Sequence, residues 1–110
     1  MADIIEKIES AVKENKVMIF MKGDRSLPQC GFSAATVAIF EELGVSFATA
    51  DVLSDPELRD AIKRFSNWPT IPQVYIDGKF VGGCDIIREL HETGELEPMV
   101  KAALGGTAQQ

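Results

Sequence analysis

Two cysteines and a single histidine are the residues of this 110-residue chain with the greatest capacity for chemistry. Cys30 follows a polar stretch, residues 24–29, and directly precedes a segment with helical periodicity that starts at Gly31. At a helix N-terminus, unpaired amide groups and the positive end of the helix dipole favour a thiolate. The position of Cys30 therefore predicts a lowered pKa, and a thiolate there serves either disulfide chemistry or metal binding.

The alternative roles for these residues are a buried, inert thiol, dithiol exchange and a zinc site. Free cysteines are frequently buried and inert, but the residues before Cys30 are polar and the apolar stripe after it does not need a cysteine. Ser33 stands where a dithiol redox motif has its second cysteine, so local dithiol exchange is unavailable. Cys30, Cys84 and His91 lack zinc-finger spacing. We expect His91 to be a surface or half-buried structural residue.

Hydrophobic periodicity and capping signals predict the helices that position these residues. Asp3 and Glu6 form an acidic version of a capping box before an apolar-periodic segment. Asp55 followed by Pro56 is typical of a helix start, with a capping side chain before a proline at the first helical position. The predicted helices cover residues 3–14, 31–43, 56–65, 85–92 and 95–104.

Short apolar runs predict the strands. The run 17–21 favours a central strand buried on both faces, and Asp77-Gly78 between 74–76 and 79–81 is a strong hairpin signal. With a further strand at 47–50, the chain begins as a βαβ unit and ends in an antiparallel hairpin. We therefore expect an α/β, thioredoxin-like fold, a four-stranded mixed sheet flanked by helices with an extra N-terminal and C-terminal helix. We expect one domain over residues 1–104 and a frayed tail over 105–110.

Composition limits the classes of partner. The chain carries 11 Lys and Arg residues against 17 Asp and Glu residues, a net charge of −6, which is the wrong sign for nucleic acid or an anionic membrane. Its longest apolar run is far shorter than the roughly 20 residues that span a bilayer, and two cysteines do not make a secreted disulfide framework. We expect no nucleic-acid or membrane partner and a cytoplasmic location, or the equivalent reducing compartment of an organelle if a transit peptide has been removed.

Four short motifs occur in order along almost the whole chain, at residues 22–23 (Lys-Gly), 28–33 (Pro-Gln-Cys-Gly-Phe-Ser), 68–73 (Trp-Pro-Thr-Ile-Pro-Gln) and 82–85 (Gly-Gly-Cys-Asp). Each is weak alone, but together they resemble a monothiol glutaredoxin of the Cys-Gly-Phe-Ser class, in the thioredoxin superfamily. Members of this class resemble iron–sulfur carriers more than reductases.

The resemblance implies a [2Fe–2S] cluster and glutathione as cofactors. Such a cluster normally takes four thiolates, which Cys30 from two chains and two glutathione molecules would supply in a homodimer. The class is linked to cluster assembly, to iron–sulfur client proteins and to BolA-like proteins. The competing hypothesis is an oxidoreductase that cleaves glutathione mixed disulfides by a one-cysteine route, in which Cys30 attacks and free glutathione resolves.

The resemblance also implies a glutathione groove beside Cys30. Its residues are Lys22, Arg59, Ile71, Pro72, Cys84 and Asp85. Lys22 and Arg59 match the class's carboxylate-binding positions, although Arg59 alone reads equally as ordinary surface charge. Ile71 and Pro72 match a backbone-pairing segment with a cis peptide bond.

Cys84 and Asp85 match the positions that hold the glutamyl end of glutathione, with helix amides binding its carboxylate and Asp85 facing its amine. The alternative for Asp85 is a simple helix cap. We predict that Cys84 is not a cluster ligand, since relatives carry cysteine or serine there. A disulfide between Cys84 and Cys30 when no cluster is bound is a hypothesis that the sequence leaves open. Glycines 82 and 83 would allow close approach of a ligand, and Trp68 is expected to pack beside the groove.

Overall fold

Five helices flank a four-stranded mixed sheet in the computed structural model, which describes residues 3–105. The helices are α1 (Ile4–Glu14), α2 (Gly31–Leu43), α3 (Pro56–Ser66), α4 (Cys84–Glu92) and α5 (Leu96–Ala103). The strands of the sheet are β1 (Val17–Met21), β4 (Ala48–Asp51), β5 (Gln73–Ile76) and β6 (Lys79–Gly82). Two further short strands, β2 (Gly23–Asp24) and β3 (Leu27–Pro28), form a separate hairpin.

The sheet has the strand order β4-β1-β5-β6, with β1 in the centre. β1 runs parallel to β4 and antiparallel to β5, and Ile19 lies between Thr49 on one side and Val74 on the other. All five residues of β1 are buried, because helices cover both faces of the sheet. The predicted thioredoxin-like α/β fold with a four-stranded mixed sheet is confirmed.

Alternate residues of β1 feed two separate apolar clusters, one on each face of the sheet. Val17, Ile19 and Met21 pack with side chains from α2, α4 and α5, and Met18 and Phe20 pack with side chains from α1 and α3. This alternation follows from the two-residue period of a strand. It fixes the positions of α2 and α4, whose N-termini lie at the functional site described below.

Capping side chains determine where two helices begin, as the sequence predicts. Asp3 accepts a hydrogen bond from the backbone N–H of Glu6, and the Glu6 side chain accepts one from the N–H of Asp3, so the capping box of α1 is confirmed. Asp55 accepts a hydrogen bond from the N–H of Leu58 at 3.1 Å, with Pro56 as the first residue of α3.

Several element boundaries differ from those predicted. β4 begins and ends one residue later than the predicted strand 47–50, and both hairpin strands are one residue longer. α4 starts at Cys84 rather than at residue 85, and α5 is one residue shorter at each end than 95–104. The hairpin β2–β3 covers residues 23–28 and overlaps the polar stretch 24–29, for which the sequence predicts a loop and no strand. Of the predicted tail 105–110, residues 106–110 lie outside the described residues. Among residues 3–105, no helix combines the length and apolar character needed to cross a bilayer.

Candidate functional site

A cavity of about 410 Å³ opens where the N-termini of α2 and α4 meet the loop between α3 and β5. Its volume lies within the range of pockets that bind small molecules. All of the site residues predicted from the sequence line it, namely Lys22, Cys30, Arg59, Ile71, Pro72, Cys84 and Asp85. The structure therefore brings together residues that are spread over more than 60 positions of sequence.

Cys30 is the N-cap residue of α2, with extended backbone angles of φ −153° and ψ 138°, and its side chain is partly exposed. The Cys30 side chain makes no capping hydrogen bond as a thiol. Its thiolate form is favoured by hydrogen bonding from the backbone N–H of Ser33, and this lowers the Cys30 pKa. Partial burial of the thiol raises this pKa. It is lowered further by the N–H of Phe32, the Ser33 hydroxyl and the charge of Lys22. The predicted lowering of the pKa is confirmed, and the alternative of a buried, inert thiol is wrong.

Ser33 contributes more than the absence of a second thiol. Its side chain is fully buried, and its Oγ accepts a hydrogen bond from the backbone N–H of Lys22 at 3.1 Å. The hydroxyl thus joins the first turn of α2 to the residue that directly follows β1. This bond holds the Lys22 backbone and Cys30 on the same side of the cavity.

The hairpin β2–β3 closes the chain between Lys22 and Cys30. Gly23 has φ +84°, and a Cβ there would lie 2.6 Å from the Leu27 carbonyl oxygen and 2.7 Å from the Gln29 nitrogen. The Gly23 N–H donates to Asp51 Oδ1 at 2.9 Å, and the Gln29 N–H donates to the Lys22 carbonyl at 2.9 Å. The turn is therefore so tight that only glycine fits at its first residue.

Polar side chains hold the tip of this hairpin. Asp24 Oδ1 accepts hydrogen bonds from the Ser26 hydroxyl and from backbone N–H groups of the same turn, which lower the Asp24 pKa. Arg25 donates to the Phe47 carbonyl at 3.0 Å and to Glu41 at 2.8 Å, and its guanidinium lies 3.8 Å from the centre of the Phe47 ring. The hairpin is thus attached both to the C-terminal part of α2 and to the segment before β4.

The loop 68–72 forms the wall opposite α2. The peptide bond between Ile71 and Pro72 is cis, as the family resemblance implied, and both side chains are buried. Trp68 packs against Phe80 with ring centroids 5.6 Å apart and also lines the cavity, which agrees with the predicted packing role. Its indole N–H is buried and has no hydrogen-bond partner among the described residues.

The start of α4 forms the third wall. Gly83 is the N-cap residue of α4, so the alternative that Asp85 caps this helix is wrong. Asp85 lies in the first turn, exposed and beside the cavity. A Cβ on Gly82 would lie 2.8 Å from Ile86 Cβ, and one on Gly83 would lie 3.2 Å from the Pro72 carbonyl oxygen. Internal packing therefore requires small residues at both positions, and close approach of a ligand stays a prediction.

Cys84 lines the same cavity as Cys30 but is 5% exposed. Arg88 Nη2 lies 3.5 Å from its sulfur. Both cysteines are free thiols, and the disulfide between them stays a prediction.

Sequence reasoning missed several residues of the cavity wall, of which Lys63 has the clearest chemical consequence. It follows Arg59 by four residues on α3, a spacing that places both cations on one helix face and that could have identified it. The charged lining consists of Lys22, Arg59 and Lys63 with the single carboxylate of Asp85. The site is therefore cationic in a chain whose net charge is −6, and it favours an anionic ligand.

The remaining predicted residue lies elsewhere. His91 Nε2 is 2.7 Å from Glu42 Oε1 and joins α4 to α2, with 28% of its side chain exposed. The predicted half-buried structural role is confirmed. Within residues 3–105, no cluster of three or more His, Cys, Asp or Glu side chains is placed to hold a metal ion by itself.

Fold and site together define the class. A thioredoxin-like sheet, one activated cysteine at the N-terminus of α2 and a cis-proline loop across the cavity place the chain among the thiol proteins of the thioredoxin superfamily. Residues 17–81 match the family described as Glutaredoxin. The chain is 55% identical over 94 residues to the probable monothiol glutaredoxin 2 of Rickettsia typhi, covering 86% of this chain and 85% of that one. It belongs to the glutaredoxin family, in the monothiol Cys-Gly-Phe-Ser class.

Solved structures are similar over almost the whole chain. Reduced apo GrxS14 from poplar superimposes with a TM-score of 0.80 at 43% identity, covering 90% of this chain and 91% of that one. A buckwheat glutaredoxin in complex with glutathione superimposes with a TM-score of 0.81 at 27% identity, covering 91% of this chain and 89% of that one.

Proposed function

We propose that this monothiol glutaredoxin binds a glutathione-ligated [2Fe–2S] cluster at Cys30 in a homodimer and delivers or stores it in iron–sulfur cluster biogenesis. The observation that carries the proposal is one activated, accessible thiolate per chain beside a cationic cavity. Ser33, buried and hydrogen-bonded, occupies the place of a resolving thiol. This arrangement suits a thiolate that stays bound to a metal cluster better than one that is oxidised and reduced in every catalytic cycle.

The stoichiometry of ligands supports a homodimer. A [2Fe–2S] cluster is normally held by four thiolates, and Cys84 is too buried to supply a second one from the same chain. Two Cys30 thiolates and two glutathione thiolates complete the set. Because half of these ligands come from a dissociable small molecule, the cluster can leave when another protein offers its own thiolates.

The cavity offers complementary groups to each part of glutathione, whose binding to a buckwheat relative supports the proposal. Lys22 and Arg59, with the neighbouring Lys63, suit a carboxylate. The backbone around Ile71 and Pro72 suits the central cysteine residue of the tripeptide, and the free amides at the start of α4 suit the other carboxylate. Asp85 is exposed there and suits the ligand's ammonium group.

We propose iron–sulfur client proteins and a BolA-like protein as partners, and the cytoplasm or an equivalent reducing compartment of an organelle as the location. A reducing medium is required because Cys30 must stay a thiolate to act as a ligand. Partners of this kind would approach the open side of the cavity, where the exposed Phe32 and Ile86 lie.

Anaerobic reconstitution tests the proposal. Reduced protein is incubated with iron, sulfide and glutathione, and its visible absorption and molecular mass are followed. The wild type and Cys84→Ser, the matched control, are expected to become coloured and dimeric, whereas Cys30→Ser remains a colourless monomer. Colour and dimerisation that persist in Cys30→Ser, or that do not require glutathione, would contradict the proposal.

The lowered pKa of Cys30 also favours a second candidate function, the reduction of glutathione mixed disulfides. The Cys30 thiolate would attack the glutathione sulfur, release the substrate thiolate and form a Cys30–glutathione disulfide. A glutathione thiolate would then attack this bond, regenerate Cys30 and leave as glutathione disulfide. Rapid turnover by a protein that stays colourless in the reconstitution would favour this candidate over the carrier.

A further inference from the structure

One buried amide side chain of β5 holds two points of the loop 68–72. Gln73, the first residue of β5, is fully buried. Its Nε2 donates to the carbonyl oxygen of Trp68 at 3.0 Å and to that of Thr70 at 3.3 Å. A single amide thus satisfies two backbone carbonyls of a segment that has no regular secondary structure.

Tyr75 satisfies and holds the oxygen end of this amide. Its hydroxyl donates to Gln73 Oε1 at 3.2 Å, and burial raises its pKa to about 12, so it remains a donor throughout the physiological range. The Tyr75 ring packs with Phe20 at 5.6 Å and with Phe80 at 5.4 Å between centroids. Because the Trp68 and Thr70 carbonyls can only accept, Nε2 faces the loop, and Oε1 is left to accept from the Tyr75 hydroxyl.

We propose that Gln73, hydrogen-bonded to Tyr75, is a positioning residue for glutathione, because it holds the loop 68–72 in the conformation that lines the cavity. The inference rests on the proposed function, since it assumes that glutathione is the occupant. All five residues of the loop line the cavity, whereas Gln73 and Tyr75 do not. Both therefore act through the loop and not by touching the ligand.

The physical reason is preorganisation. Without the two hydrogen bonds from Gln73, the loop carbonyls would turn toward other donors and the loop would sample more conformations. A ligand that pairs with the loop backbone would then have to order it on binding, which weakens affinity without removing a single direct contact. A merely structural Gln73 would change only the stability of the fold.

Glutathione binding and Trp68 fluorescence together test the inference, because Trp68 is the chain's single tryptophan and lies in the loop itself. Calorimetry with reduced glutathione on the full chain is expected to show affinity reduced about fivefold in Tyr75→Phe, the loss of one hydrogen bond. Gln73→Met, which keeps the length of the side chain, is expected to reduce it about tenfold or more. Acrylamide quenching of Trp68 should increase in both variants without ligand.

Val100→Ala is the matched control, because Val100 is fully buried in the apolar cluster on the opposite face of the sheet. It should lower the unfolding midpoint but leave glutathione affinity and Trp68 quenching as in the wild type. If the Tyr75→Phe and Gln73→Met variants are less stable yet bind glutathione like the wild type, this inference is overturned and the proposed function stands. A wild type that does not bind glutathione would overturn the proposed function, and this inference with it.

Discussion

Cys30 and Cys84 lie beside the same cavity and at the starts of two helices, yet their environments differ. Cys30 is the N-cap of α2 and is partly exposed, with its pKa lowered by the amide of Ser33. Cys84 is the first residue inside α4, 5% exposed, with the guanidinium of Arg88 at its sulfur. A position at a helix N-terminus is therefore not enough to produce an accessible thiolate.

The two cysteines differ by one position relative to the start of their helices. An N-cap side chain faces the amides of the second and third helical residues, which for α2 are Phe32 and Ser33, the two amides that lower the Cys30 pKa. At α4 the N-cap position is taken by Gly83, which has no side chain, and Cys84 stands one position later.

Alkylation of the native reduced protein should separate the two cysteines most widely. Iodoacetamide at neutral pH is expected to modify Cys30 about a hundredfold faster than Cys84, because Cys30 is partly exposed with a lowered pKa, whereas Cys84 is buried. Peptide mass spectrometry over a time course measures both rates in one sample. In urea the two rates should converge, and equal rates in the native protein would contradict the contrast.

Ser33→Ala is expected to have the next largest effect. It leaves the partly buried N–H of Lys22 without its acceptor, which should lower the free energy of unfolding by about 1–2 kcal/mol. It also removes the hydroxyl that favours the Cys30 thiolate, so the thiolate fraction at neutral pH should fall about threefold.

Chemical denaturation measures the first of these effects, and absorbance of the thiolate near 240 nm during a pH titration measures the second. Ser33→Thr, which retains a hydroxyl, is the matched control and should keep most of the thiolate. A Ser33→Ala variant that titrates like the wild type would show that the Ser33 hydroxyl does not lower the Cys30 pKa.

The lowered pKa of Cys30 also predicts a pH dependence of stability. The ordinary cysteine pKa is 9.0 and the folded value lies below it, so between the two values the unfolded chain binds more protons. The stabilisation is complete above 9.0 and is lost as pH falls through the folded pKa. Urea unfolding of the reduced apo protein should show this slope for the wild type and not for Cys30→Ser, whereas Cys84→Ser should retain it.

Most of the fold could be predicted because its signals are local. The apolar run of β1, the Asp77-Gly78 turn and the capping residues Asp3 and Asp55 each specify structure through neighbours in sequence. The hairpin β2–β3 could not be predicted, because its strands have two residues each and depend on distant groups. Asp51, Glu41 and Phe47 hold it, and all three lie at least 16 positions from the residue that they bind.

The residues of the site could be predicted about as well as the fold, but for a different reason. The family resemblance named seven residues that line one cavity, six of them within the four motifs and Arg59 outside them, but it gave no information on their geometry. Asp85 was considered as a helix cap because the start of α4 was set one residue too late. Lys63 was missed because it matches no site position that the family resemblance supplies, although its four-residue spacing from Arg59 on α3 is visible in the sequence. The roles of these residues toward glutathione remain predictions.

Lys22→Met is expected to have the smallest effect and separates charge from local geometry. The Coulombic influence of Lys22 is the weakest of the causes that lower the Cys30 pKa, and it acts across partly solvated space, so the thiolate fraction should fall only about 1.5-fold at low salt. Near 1 M salt, where the screening length shrinks to about 3 Å, the variant should titrate like the wild type. The Ser33→Ala effect should survive the same salt, because a hydrogen bond at contact distance is not screened by mobile ions. If salt removed both effects equally, the activation of Cys30 would come from the general positive field of the cavity and not from its position as the N-cap of α2.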